Sequence, residues 1–228
     1  MRKSLIFTLL WIILFFSSVW GDETKSEKKI YFSTKDNLSK IVLSELAKGK
    51  KTVYVAMYWF TLKSLARGLV AAKRRNVEIK VLLDEDQKYS KSSCWDILAE
   101  EGIKVKFYKS PGLMHNKFCI IDEKITLTGS YNWTGNANKI NEENLIVIDS
   151  EKVAKQYEKE FQNLWIGPGI IEITSPKNAK YVGNRNSRIF HRLDCYCVKR
   201  MKETNKVYFT GREEAIKAGF RPCKICKP

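Results

Sequence analysis

Leu38, Ile41, Val42 and Leu46 recur at the three- and four-residue spacing of one helix face, behind Asp36 or Asn37 as a cap and ahead of Gly49 as a stop. Thr52 to Phe60 is then apolar at successive positions, the pattern of a strand covered on both faces. A second helical stripe, Leu62, Leu65, Ala66, Leu69 and Val70, ends in Lys73-Arg74-Arg75 and leads into the apolar run Val77 to Leu83. Strand, helix and strand in that order make a β-α-β unit, so the first sheet pairing is predicted to be parallel. A helix around Trp95 to Glu100 and a strand from Lys104 to Tyr108 continue the alternation. Ser110-Pro111-Gly112 breaks it before strands at His115 to Ile121, Ile125 to Thr128 and Asn144 to Ile148, and Val153, Tyr157, Phe161 and Trp165 mark a last helix. The pattern predicts an α/β sandwich.

The two ends read differently. Arg2 and Lys3 precede an almost uninterrupted apolar run, Leu5 to Trp20, which gives way to polar residues from Gly21. Small residues at Val19 and Gly21 suit cleavage after Gly21, so residues 1–21 read as an export signal. The run also approaches the ~17 residues needed to span a bilayer, so retention as a membrane anchor is the other reading. Either way the remainder crosses the cytoplasmic membrane, to a periplasmic or secreted location. At the far end, Gly167-Pro168-Gly169 and Ser175-Pro176-Lys177 punctuate a linker, after which four of the six cysteines crowd into the last fifth of the chain. The predicted organisation is therefore a leader at 1–21, a main domain at 22–166, a linker at 167–180 and a small module at 181–228.

Composition adds a partner class. Lys and Arg number 41 against 25 Asp and Glu, a formal charge of +16, which points to a polyanion. Charge by itself does not choose between nucleic acid and acidic lipid.

The candidate chemistry lies in HNKFCIIDEKITLTGSYN, from His115 to Asn132. Residues two apart on a strand share a face, so His115 and Lys117 are predicted to project together. An imidazole can attack phosphorus while an ammonium balances charge on the phosphate oxygens. Ser130 and Asn132 offer further hydrogen bonds to those oxygens. This run resembles the HxKx4Dx6GS signature of the phospholipase D superfamily, with every fixed position filled, Asp122 and Gly129 included. The resemblance spans roughly Ile30 to Trp165 and is closest to the small bacterial endonucleases that carry the motif once. It implies a phospholipase D-like α/β/α sandwich and a two-step, metal-independent phosphodiester hydrolysis through a phosphohistidine. One histidine is the nucleophile and a second protonates the leaving oxygen. The resemblance also implies that Glu143 orients the imidazole of His115, although spacing does not separate Glu143 from Glu142.

The C-terminal module reads FHRLDCYC and later RPCKICKP. Cys223 and Cys226 form a C-x-x-C knuckle, and His191 and Cys195 make a second pair, four ligands for one zinc. Cys197 can replace Cys195 or His191 in that set, and a disulfide scaffold is the alternative for an exported chain. The module resembles the zinc-binding domain of the Ada type, through YVGN, FHRLDC and EEAIKAGFRPCKIC. His191 stands where the repair proteins have a methyl-accepting cysteine, so the resemblance implies a structural zinc module without methyl transfer. Arg185, Arg188, Arg192, Lys199 and Arg200 are its candidate DNA contacts, or else a solvated basic face. Cys94 and Cys119 read as buried thiols.

The function expected is an endonuclease acting on DNA or RNA. The alternatives are a cardiolipin-hydrolysing phospholipase D and a non-catalytic DNA-binding protein. The chain has two histidines, His115 and His191. With His191 assigned to zinc, the second catalytic histidine is expected from another copy, in a homodimer sharing one site.

Overall fold

The computed structural model describes residues 26–172, 179–202 and 205–228. The expected leader lies outside these residues, and no helix among the described residues is long and apolar enough to cross a membrane.

Eight strands form one mixed sheet. They are β1 (Glu27–Phe32), β2 (Thr52–Met57), β3 (Glu78–Asp84), β4 (Lys104–Tyr108), β5 (Lys117–Ile121), β6 (Ile125–Gly129), β7 (Asn144–Asp149) and β8 (Ile170–Glu172), in the order β1-β7-β6-β5-β2-β3-β4-β8. β2, β3 and β4 run parallel, connected through helices α2 (Lys63–Arg74) and α3 (Trp95–Glu100), as the β-α-β pattern predicts. The remaining pairings are antiparallel.

Helix α1 (Leu38–Lys48), capped by the Asn37 side chain, lies with α2 and α3 on one face of the sheet. Their Leu38, Val42, Leu46, Leu65, Leu69 and Leu98 pack on Val53, Val55, Val81, Leu83 and Phe107. The short helix α4 (Gly135–Lys139) precedes β7, and α5 (Glu151–Ile166) covers the other face with Ala154, Phe161 and Trp165 against Tyr54, Ala56, Phe118 and Ile120. Alternate residues of β2 and β5 thus feed two different cores, which is why those segments have no polar face. The result is the expected α/β/α sandwich.

Two strands escape the hydropathy pattern. In β1, Tyr31 packs on the core while Ile30 and Phe32 are exposed. β8 falls inside the segment predicted as linker, so the main body runs on to Glu172. Both are edge strands, held largely by one backbone ladder, so burial leaves little periodicity to read.

The second unit is a four-stranded sheet of β9 (Tyr181–Asn184), β10 (Ile189–Arg192), β11 (Lys206–Phe209) and β12 (Arg221–Pro222), in the order β11-β9-β10-β12. Helices α6 (Tyr196–Lys199) and α7 (Arg212–Lys217) complete it. Phe190, Val207, Phe209, Ala215 and Phe220 form its core, and Tyr89 of the main body packs against that cluster.

Candidate active site

His115 lies just ahead of β5 and not on it, because the strand begins at Lys117. The two side chains nevertheless come together. Lys117 folds back so that Nζ lies 3.1 Å from His115 Nδ1 and donates to the His115 carbonyl at 2.7 Å. Tyr58, at the end of β2, was not singled out from the sequence. Its ring sits 4.5 Å from the imidazole, centroid to centroid, and the Lys117 ammonium lies 5.2 Å from the same ring. The Tyr58 backbone N–H donates to the Asn116 carbonyl at 2.9 Å, which ties this platform to the loop that carries His115. Burial holds the Lys117 ammonium below the usual lysine range, and the nearby Glu143 carboxylate offsets this only in part. A partly desolvated cation attracts phosphate more strongly than one in bulk water.

Glu143, rather than the exposed Glu142, faces this site. Among the described residues its hydrogen-bond partners are other than the imidazole of its own chain. Its carboxylate accepts from the Ser130 hydroxyl and, at 3.1 Å, from Asn141 Nδ2. The Ser33 hydroxyl accepts the Glu143 N–H at 2.8 Å, and Ser130 Oγ accepts the Asn144 N–H at 3.0 Å. Asn132 turns to the other side of the site, where its Oδ1 accepts the Trp59 N–H at 3.3 Å. Gly129 has φ 145°, and a Cβ there would strike the Asn144 carbonyl. The glycine of the motif is what lets β6 approach β7 this closely.

Asp122 is not brought to the site. It follows β5 at the end opposite Lys117, about 17 Å away at the usual strand rise. There its carboxylate accepts the backbone N–H groups of Lys50, Lys51 and Thr52 at 2.7–2.9 Å. Burial opposes its ionisation, but those donors outweigh burial and hold its pKa below the usual carboxylate value. Asp122→Asn keeps the shape, and Asn tolerates the left-handed conformation that Asp122 adopts at φ 54°. Losing the charge-assisted bonds is expected to cost about 1.5 kcal/mol at pH 7. A depressed folded pKa contributes stability above the unfolded value of ~3.9 and loses it as pH falls through the folded value. Urea unfolding should therefore show wild type and variant converging below about pH 4, with His115 chemistry preserved in folded molecules. A gap that persists in acid would point to packing as the cause.

Residues 42–165, more than half of the chain, match the family described as cardiolipin synthase, PLD-like domain. The chain belongs to the phospholipase D superfamily. It is 36% identical over 124 residues to the mitochondrial cardiolipin hydrolase of Xenopus laevis, covering 54% of this chain and 59% of that protein. To the phospholipase D of Rickettsia conorii it is 31% identical over 140 residues, 61% of this chain and 70% of the relative. Among solved structures, the phospholipase D family member Nuc from Salmonella typhimurium superposes with a TM-score of 0.62 at 27% identity, over 66% of this chain and all of that one. Residues 174–228 match the metal binding domain of Ada.

In that second region His191, Cys195, Cys197 and Cys223 place their donor atoms within 4.8 Å of one another. His191 Nδ1 lies 3.5 Å from Cys195 Sγ. Cys226 packs against this cluster, and burial pushes its thiol up to about 11. Of the predicted set His191, Cys195, Cys223 and Cys226, the last is replaced in this group by Cys197, which leaves Cys226 as the alternative donor for the fourth position of a tetrahedral zinc. Thiolates with one imidazole suit zinc. The Cys223 thiol, although raised by burial, is brought below its usual value by the N–H groups of Cys226 and Ile225, which favours the ligating thiolate. Cys94 and Cys119 are buried in the main body, as expected.

The candidate DNA contacts divide. Arg185 is 3% exposed and donates to Asp96 of the main body at 2.8 Å, while Arg188 donates to the Tyr89 carbonyl at 2.9 Å. Both are spent on the junction between the two units. Arg192, Lys199 and Arg200 remain exposed.

Proposed function

We propose that this chain is an exported, metal-independent phosphodiesterase that cleaves DNA, with RNA as the second polynucleotide, through a phosphohistidine at His115. The observation that carries the reading is the exposed His115 imidazole with the Lys117 ammonium 3.1 Å from its Nδ1, beside the Ser130–Glu143 pair. His115 is the nucleophile. Lys117 and Ser130 stabilise the phosphate oxygens, and Asn132 flanks them. The net positive charge and the Ada-type module support a nucleic acid substrate. A phosphate-directed site reads backbone and not base edges, so sequence preference is expected to be slight.

A histidine acid is needed besides the nucleophile, and His191 lies in the cysteine cluster. The missing acid comes from a second copy across a two-fold axis. The exposed Leu113 and Ile140 support this arrangement, because they flank His115 and Glu143 in sequence, as does Phe32 next to Ser33. Such an apolar rim is what a closing partner would cover.

The same rim favours a second reading, hydrolysis of an acidic lipid, in keeping with the name of the Xenopus relative. Labelled single-stranded DNA, duplex DNA, RNA and cardiolipin vesicles offered to the purified protein separate the two readings. Cleavage confined to cardiolipin would overturn the nuclease assignment. Activity is also expected to survive mixing with excess EDTA, since a histidine nucleophile needs no metal-activated water. Prompt loss on mixing would contradict the mechanism, whereas slow loss would follow zinc leaving the C-terminal module.

A further inference from the structure

We propose that the C-terminal module braces the active site: docked on the segment from Asp84 to Asp96, it holds Asp84 and Gln87 as positioning residues for His115 and Tyr58. This rests on the phosphodiesterase reading of that site. The sequence suggested a tether for nucleic acid, but two of the five basic residues proposed for that task are turned into the main body.

The segment is gripped from the module side by charge and by aromatic packing. Lys88, almost fully buried, donates to Glu214 at 3.0 Å, and Glu214 is fixed in turn by the Thr210 N–H and hydroxyl. Arg185 pairs with Asp96 and lies 4.8 Å from the Trp95 ring. Arg188 bonds the Tyr89 carbonyl, and the Tyr89 ring packs against Phe209 and Phe220. Buried cations paired across a junction are costly to separate, so this contact is a fixed one.

On its other side the same segment supports both walls of the site. Asp84 is 3% exposed, and its carboxylate accepts the N–H of Met114, the residue before His115, at 2.9 Å. Gln87 is fully buried, and its Oε1 accepts the Phe60 N–H at 3.3 Å. The Cys94 N–H donates to the Phe60 carbonyl at 2.9 Å. Phe60 closes the short stretch that begins with Tyr58, whose ring lies against the imidazole. Each backbone group held here is within two residues of His115 or Tyr58. Displacements of about 1 Å at a reacting group cost up to ~100-fold in rate, so loosening the segment should reach the chemistry.

The substrate should be bis(p-nitrophenyl) phosphate, a diester far smaller than a polynucleotide. In the full-length protein, Glu214→Lys sets two cations against each other, Lys88→Glu sets two carboxylates, and the combined variant restores a pair. Each single variant is expected to lower kcat about tenfold with KM within about twofold, and the double variant to recover most of the loss. Amide exchange should quicken at residues 58–60 and 113–116 in the single variants. Gln87→Leu, which leaves the junction intact, should give the same fall in kcat and serves if a charge variant does not fold or loses zinc. Unchanged kcat and unchanged exchange at those residues, with only polynucleotide KM raised, would overturn the brace in favour of a tether. If wild type hydrolyses no diester at all, the functional reading fails, and exchange at 58–60 and 113–116 still decides the brace.

Discussion

His115→Ala is expected to abolish hydrolysis, with a fall of about 10⁴-fold or more, because under the proposed mechanism the variant lacks both the atom that would attack phosphorus and the acid it would lend its partner. Lys117→Ala should cost about 10²–10³-fold, the scale of removing one group that stabilises charge in the transition state. The shared site adds a sharper test than either loss. When wild type is refolded with an equal amount of His115→Ala protein, random pairing leaves both histidines in about one quarter of the dimers. Activity should fall to about one quarter of maximal, whereas independent sites would retain about half. A linear decline with mixing ratio, in samples shown to contain heterodimers, would rule out the shared site. The exposure of His115, and of Leu113 and Ile140, which flank His115 and Glu143 in sequence, makes this outcome the expected one.

The second large effect is expected in the cysteine cluster. Cys223→Ser removes a central donor, and zinc affinity should fall by more than about 100-fold, since even residues that merely support ligands are worth 10–100-fold. A unit this small buries too little apolar surface to stay folded by itself, so the module should unfold with the loss of metal. Elemental analysis should find about one zinc per wild-type chain and almost none in Cys223→Ser, with Cys195→Ser alike. Cys197→Ser and Cys226→Ser then rank the surplus donors: the variant that keeps its zinc identifies the thiol outside the coordination shell. Wild-type protein with no metal and no free thiols would establish the disulfide scaffold instead.

Much of the fold and the centre of the site can be read along the chain, because they depend on local pattern. Helical spacing and doubly apolar runs mark α1, α2, β2 and β3, since each must bury a stripe or two faces in the core. The HxKx4Dx6GS run marks His115, Lys117, Gly129 and Ser130 for the same reason: a fixed spacing expresses one turn-and-strand geometry. The C-x-x-C knuckle and the paired His191 and Cys195 announce the metal cluster through donor chemistry. Edge strands β1 and β8 are silent in sequence, because a strand held mainly by its backbone needs no hydrophobic period.

What only the tertiary structure decided are the long-range partnerships. Asp122 belongs to the catalytic motif in sequence, yet the strand carries it to the far end of the sheet, where the N–H groups of Lys50 to Thr52 claim it. Tyr58 gave no signal, because an aromatic at the end of a buried strand looks like core until the loop before β5 lays His115 against it. Arg185 and Arg188 look like surface charge until the docked module buries the first against Asp96 and half-buries the second against Tyr89. The physical reason is common to all three. Sequence period reports which way a side chain points from its own element, whereas its partner is set by packing between elements far apart in the chain.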